Sequence, residues 1–242
     1  MVERVEVAIG ILVIYFVAFA VPTGIAGRIF SIHKEIIRKV YHIFGSASMI
    51  LLLYVFPGWK SALISFLAIF IFAYVLILAF GGMAFFKKFR IDRKREETKI
   101  KQQILYVSLT YSVLIIAFWA IGGEENKHFI LFGVLTWCFG DAFAAIFGRL
   151  YGKKYFQHRI FDQNKTHRGF KAFVISGSLV NMVLLIIYYS FPAGVNLGIA
   201  VILGVLGGMI ELMSKKGLDN VLLPIGITII SFAIINAALV YW

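Results

Sequence analysis

The chain is poor in charge and poorer still in acid. Only 15% of its 242 residues are charged, and Lys and Arg outnumber Asp and Glu by 24 to 12. A soluble domain carries about 25% charged residues, so an ordinary water-soluble globule is excluded. Cysteine occurs once, as Cys138 inside an apolar run; this rules out a disulfide framework and a thiolate metal site. No internal repeat and no low-complexity segment stands out. Several catalytic signatures are also missing. The phosphate-binding pattern G-x-x-x-x-G-K-[ST] is absent, and G-R-L-Y-G-K-K at 148–154 has the wrong spacing for it. There is no H-E-x-x-H, no G-x-S-x-G and no protein-kinase signature set.

What fills the chain is apolar surface, 61% of residues, with a mean hydropathy of +0.89. That is the composition of an integral membrane protein. The net charge of +12 would suggest nucleic acid in a soluble chain. Here the cations lie in loops between apolar runs, so no nucleic-acid partner is expected and the bilayer is the partner. A span needs about 20 apolar residues. Eight runs qualify, at 6–27, 42–57, 61–86, 104–121, 129–147, 171–191, 194–213 and 220–240, the second being the shortest. The first run lacks a small-residue cleavage site after a short core and reads as a retained span. The expectation is an all-α, multi-pass cell-membrane protein, a single domain over 1–242.

The cations orient it. The loops at 28–41, 87–103 and 148–171 hold four, eight and seven of the 24 Lys and Arg, and Lys215 and Lys216 add two. Only Arg4, Lys60 and Lys127 fall on the other side. By the rule that cytoplasmic loops carry the Lys and Arg, both termini face outward and four basic loops face the cytoplasm. The densest, 87–103, reads as an amphipathic connector on anionic headgroups.

Ionisable residues within spans are costly and mark function. Asp141 lies inside the fifth run, Glu211 near the end of the seventh, Asp219 and Asn220 at the start of the eighth, and His42 at the start of the second, just after Arg38 and Lys39. All belong to the same leaflet. At 100° per residue, Asp141, Ala144, Ala145, Gly148 and Gly152 form one narrow helix stripe. An acid beside a strip nearly without side chains leaves room for a group to approach the backbone. Lys153, Lys154, Arg159, Lys165 and Arg168 follow in what reads as a flexible Gly/Lys loop, so that group is expected to be anionic. The stripe alone has a plainer reading, as a helix-packing face. Together, three carboxylates and several cations sunk at one membrane surface fit phosphoryl or nucleotidyl transfer to a lipid. Carboxylates hold Mg²⁺, cations neutralise phosphate, and an acid takes the hydroxyl proton.

At these residues the chain resembles the polyprenol kinase family, which includes dolichol kinase, phytol kinase and CTP-dependent diacylglycerol kinase. That family's pattern is D-x-x-A-x-x-x-G-x-x-x-G, a basic loop, then K-T-x-E-G. The matching residues are Asp141, Ala144, Gly148 and Gly152, then Lys165, Thr166 and Gly169. An upstream R-K-x-x-H resembles Arg38, Lys39 and His42; a downstream acid, then D-N and Pro, resembles Glu211, Asp219, Asn220 and Pro224. The chain departs from the pattern at Arg168, where the family has Glu. The resemblance implies transfer of the γ-phosphate of CTP, with Mg²⁺, to a membrane alcohol such as a polyprenol, dolichol, phytol or diacylglycerol. Pattern and charge together assign Asp141, Glu211 and Asp219 as metal ligands or base. They assign Arg38, Lys39, Lys153, Lys154, Lys165, Thr166, Arg168 and Gly169 to the phosphates, Gly148 and Gly152 to backbone approach, and His42 and Asn220 to orienting neighbours. A cytidylyltransferase making a CDP-lipid would use the same groups on the α-phosphate. A small transporter would need broken spans in two matching halves and polar residues at the midplane; here they collect at one leaflet.

Overall fold

The computed structural model describes residues 5–29, 34–80, 93–214 and 217–241. In hydrocarbon every backbone N–H and C=O must be satisfied within its own segment, so long apolar runs become helices. Eight form among the described residues: α1 (Val5–Ile29), α2 (Lys34–Tyr54), α3 (Trp59–Phe80), α4 (Arg93–Leu114), α5 (Phe129–Tyr151), α6 (His167–Tyr188), α7 (Ala193–Met213) and α8 (Asp219–Tyr241). A π-helical segment, Ile115–Ile121, extends α4, and the Gly122 N–H closes it onto the Ala117 carbonyl at 3.0 Å. There is no sheet among the described residues, only one isolated bridge between Tyr155 and Thr166.

Among the described residues, seven of these helices are long and apolar enough to cross a membrane. In α3 the qualifying apolar stretch is the shorter Trp59–Phe72. The end of the expected third span, much of the 87–103 charge run, and Lys215 and Lys216 lie outside the described residues. The boundaries differ from hydropathy in an informative way. The expected loop at 28–41 is helical from Lys34 onward, because Lys39 is turned inward and buried. Likewise α5 runs on to Tyr151 and α6 begins at His167, which trims the long loop to 152–166.

The most enclosed element is α5, buried along most of its length, with α2, α6 and α8 against it. Helices this apolar gain little from one another by hydrophobicity alone; small residues let them come close. A Cβ at Gly133 would run into the Pro224 carbonyl and Thr228 Oγ1 of α8, and one at Gly177 of α6 would stand 3.5 Å from Gly204 Cα of α7. Pro224 cannot donate a backbone hydrogen bond back to Asn220. The Asn220 carbonyl is satisfied instead by the Thr110 hydroxyl of α4 at 2.9 Å. This bond fixes the start of α8, where Asp219 sits.

The end of the bundle away from Asp219 is tied by Lys127. Its ammonium pairs with Glu124 and lies 5.1 Å from the Tyr54 ring and 4.9 Å from that of Trp119. Trp119 Nε1 donates to the other Glu124 oxygen at 2.5 Å. Against the upward push of burial, the hydrogen bonds from Lys127 and Trp119 hold the Glu124 carboxyl below the usual glutamate range. The stability this supplies is therefore complete above that range and is lost as pH falls through the lowered value. Lys127→Ala is expected to cost about 1–2 kcal/mol, read as a lower melting midpoint in detergent at neutral pH. An unchanged midpoint would mean the cluster holds nothing together.

Candidate functional site

The site is built where the N-terminal half of α2 and the N-terminal ends of α6 and α8 meet the middle of α5 and the C-terminal end of α7. On α2, Lys39 and His42 are three residues apart and share a face. Lys39 Nζ donates to Asp141 Oδ2 of α5 at 2.5 Å, and His42 Nε2 lies 3.4 Å from the same oxygen. The side chains of Lys39 and Asp141 are 7% and 14% exposed, so this is a largely desolvated pair between residues 102 positions apart. His42 sets its ring edge-on to Trp137, centroids 4.5 Å apart, and its Nε2 has no hydrogen-bond partner. Trp137 precedes Asp141 by one helical turn, a spacing that could have flagged it in the sequence. Arg38 is exposed, beside Lys39 on the helix.

A second pair stands nearby. Lys165 Nζ lies 2.7 Å from Glu211 Oε1 and also donates to the Glu211 backbone carbonyl. The Glu211 side chain is 8% exposed. Asp219 at the start of α8 is partly buried; it lies within electrostatic reach of Asp141, Lys165 and Lys39, and Glu211 in turn of Asp141 and Asp219. The two pairs and Asp219 thus form one cluster. Removing one member of a buried pair leaves an uncompensated charge, at a cost of about 3–5 kcal/mol.

The 152–166 loop, read as flexible from its Gly and Lys content, is tied back on itself. Phe156 N donates to the Lys165 carbonyl at 3.1 Å and His167 N to the Lys154 carbonyl at 3.0 Å. Asp162 N reaches the Leu212 carbonyl of α7 at 3.0 Å. The Asp162 carboxylate accepts from Asn164 N at 3.0 Å, an Asx turn that brings Lys165 over Glu211. Phe156 stacks on His167, centroids 4.0 Å apart. The D-x-N spacing was the sequence signal for this turn; the partner carbonyl on α7 had none.

The helix stripe read from the sequence is filled by the chain itself. Thr166 is the N-cap of α6, its hydroxyl accepting from Gly169 N at 3.1 Å. A Cβ on Gly148 would stand 3.0 Å from the Thr166 hydroxyl, and one on Gly169 2.9 Å from the Ala144 carbonyl. So Ala144, Gly148 and Gly152 let the first turn of α6 lie against α5, and the group approaching their backbone is that turn. A Cβ on Gly152 would meet Thr166 Cγ2 at 2.6 Å. Gly152→Ala is expected to destabilise by about 1–3 kcal/mol and Gly148→Ala by clearly less, compared by melting midpoint; equal effects would contradict this packing. Lys153, Lys154 and Arg168 are exposed. Asn220 is buried, and its carbonyl is the acceptor for Thr110 described above.

No three His, Cys, Asp or Glu side chains among the described residues gather into a metal cage. Mg²⁺ does not require one: it is held by one or two carboxylates and completes its shell with substrate phosphates and water. Lys39 and His42 both approach Oδ2 of Asp141, which leaves Oδ1 on the same carboxylate, with Asp219 within electrostatic reach, as oxygen donors of the right kind. The residues fit a metal that arrives with phosphate.

Over 229 residues the chain is 25% identical to the phytol kinase of Synechocystis sp., covering 94% of this chain and 91% of that protein. The likeness is distant in identity and runs over nearly the whole length of both chains. No family model matches the chain, and no solved structure does.

Proposed function

We propose that the protein is a CTP-dependent kinase that transfers the γ-phosphate to the hydroxyl of a membrane lipid alcohol. The observation that carries this reading is the cluster itself: two lysine–carboxylate pairs and a third carboxylate gathered at one end of a membrane bundle. Such a cluster meets a substrate with a polyanionic end and a hydroxyl at headgroup depth. The likeness to a phytol kinase supports the lipid alcohol. The donor nucleotide comes from the resemblance of the D-x-x-A-x-x-x-G-x-x-x-G and K-T-x-x-G stretches to polyprenol kinases. The 21-to-3 division of Lys and Arg supports a cytoplasmic position for the cluster and outward termini.

In this reading Lys165 leaves Glu211 for the nucleotide phosphates, assisted by the exposed Arg38, Lys153 and Lys154. Lys39 holds Asp141 in place, and His42 braces that pair against Trp137. Asp141 and Asp219 would hold Mg²⁺, which supplies charge neutralisation on the phosphates. The lipid oxygen attacks the γ-phosphorus, the bond from that phosphorus to the β-phosphate oxygen breaks, and CDP leaves with the electron pair. The hydroxyl proton passes to a carboxylate of the cluster.

The test is a transfer assay on purified protein with γ-labelled CTP or ATP and a panel of phytol, polyprenols and diacylglycerol. Label is expected on a lipid alcohol, from CTP in preference to ATP. A CDP-lipid formed from α-labelled CTP and phosphatidate would replace the kinase by a cytidylyltransferase. Flux of a solute across liposomes without nucleotide turnover would make it a transporter.

A further inference from the structure

A groove of about 610 Å³ opens between α5 and α6, on the side of α5 away from the cluster. Phe139, Phe143, Phe147 and Tyr151 repeat every four residues along its α5 wall. Phe139 and Phe143 each stand two residues from Asp141, about 200° around the helix, so the groove and Asp141 occupy opposite faces. Ala172, Ile175 and Leu179 form the other wall. Phe143 and Phe147 stack in near-parallel planes, 14° apart. From Phe139 to Tyr151 the wall is about 18 Å long at 1.5 Å per residue, close to the depth of one leaflet of a hydrocarbon core about 30 Å thick.

This cleft faces the bilayer: Phe143 and Phe147 are 40% and 41% exposed, Ile175 and Leu179 both 62%. Its mouth is different in kind. Arg168 and Lys171 line it at the end where α6 begins. Both are exposed, and neither meets a carboxylate among the described residues. Arg168 is the position at which the chain departs from K-T-x-E-G. Lysine and arginine at this depth can lay their stems on apolar surface and hold their charges at the headgroups. We propose that the groove is a binding site for an anionic phospholipid of the surrounding bilayer, one acyl chain lying on the Phe139–Phe147 wall and the headgroup phosphate between Arg168 and Lys171. A neutral lipid alcohol would leave two cations at the mouth without a counter-charge. The bilayer supplies the phospholipid at high local concentration, and the site is independent of the reaction at Asp141.

The experiment is native mass spectrometry of the full chain in neutral detergent, with phosphatidylglycerol, phosphatidylcholine and phytol offered at equal concentration. One phosphatidylglycerol is expected to be retained about tenfold over phosphatidylcholine, whose choline ammonium offsets the attraction of the two cations for its phosphate. Arg168→Gln with Lys171→Gln, both exposed positions, should remove that preference by lowering phosphatidylglycerol retention far more than phosphatidylcholine retention. Ala172→Phe, which fills the groove without changing charge, should lower retention of both phospholipids. Equal retention of the two phospholipids by the wild type would overturn the proposal, as would a preference that survives the double substitution. Displacement of phosphatidylglycerol by phytol would hand the groove to the substrate, and a lipid-free dimer would hand it to a second copy of the chain; either result also defeats it.

Discussion

Replacing Asp141 by Asn is expected to lower lipid phosphorylation by at least about a thousandfold, the scale on which a positioned electrostatic or acid–base group acts in catalysis. The difficulty is that Asp141 also has a structural partner. Lys39 lies 2.5 Å away with its side chain 7% exposed, and an amide there would leave the ammonium buried without its counter-charge, a cost of about 3–5 kcal/mol. Loss of activity in the single variant would therefore not distinguish chemistry from unfolding. The double variant Lys39→Gln, Asp141→Asn separates them. It removes both charges, and replacing both partners of a buried pair is often close to neutral. Its melting midpoint is expected to return most of the way to that of the wild type while transfer stays lost. Activity that recovers together with stability would make Asp141 a structural ion-pair residue and would sink the proposed site.

This pairing also marks where sequence reading runs out. Hydropathy finds the helices because apolar runs of this length have one good structure in lipid. Asp141, Glu211 and Asp219 stand out for the same reason, as ionised groups where ionisation is costly. Which cation serves which acid is another matter. Lys39 and Lys165 sat in segments counted as basic loops, indistinguishable by charge from Lys153 and Lys154, yet the first two are turned inward onto carboxylates and the latter two remain exposed. The direction a side chain takes depends on helix rotation and on the path of the 152–166 loop, and no local pattern encodes either. Gly148 and Gly152 illustrate a different ambiguity. A stripe of small residues says that something comes close, and the same stripe serves a ligand or a helix; here it seats the Thr166–Gly169 turn. Arg168 was grouped with the phosphate cations by its place in the chain, whereas it lines the groove mouth on the bilayer side of α6.

Lys165→Ala is expected to raise the KM for nucleotide about 10- to 100-fold, as the loss of charge-assisted phosphate contacts worth about 1.5–3 kcal/mol requires. In the proposed reading Lys165 has two roles in sequence: it neutralises Glu211 when no nucleotide is bound, and it moves onto an incoming phosphate, being half-buried with its backbone held by the Asp162 turn and by Phe156. If both roles hold, alanine leaves Glu211 buried without a cation, so stability falls together with nucleotide affinity. Lys165→Ala with Glu211→Gln removes that second cost. The double variant should regain its melting midpoint and keep the raised KM. Lys165→Arg, which keeps the charge but changes a point cation into a planar fork, should retain stability and lose part of the nucleotide response. The decisive result is the split between the two readouts. A melting midpoint that falls in Lys165→Ala while the dependence on nucleotide concentration stays unchanged would confine Lys165 to the fold and move the phosphate contact to Arg38, Lys153 and Lys154.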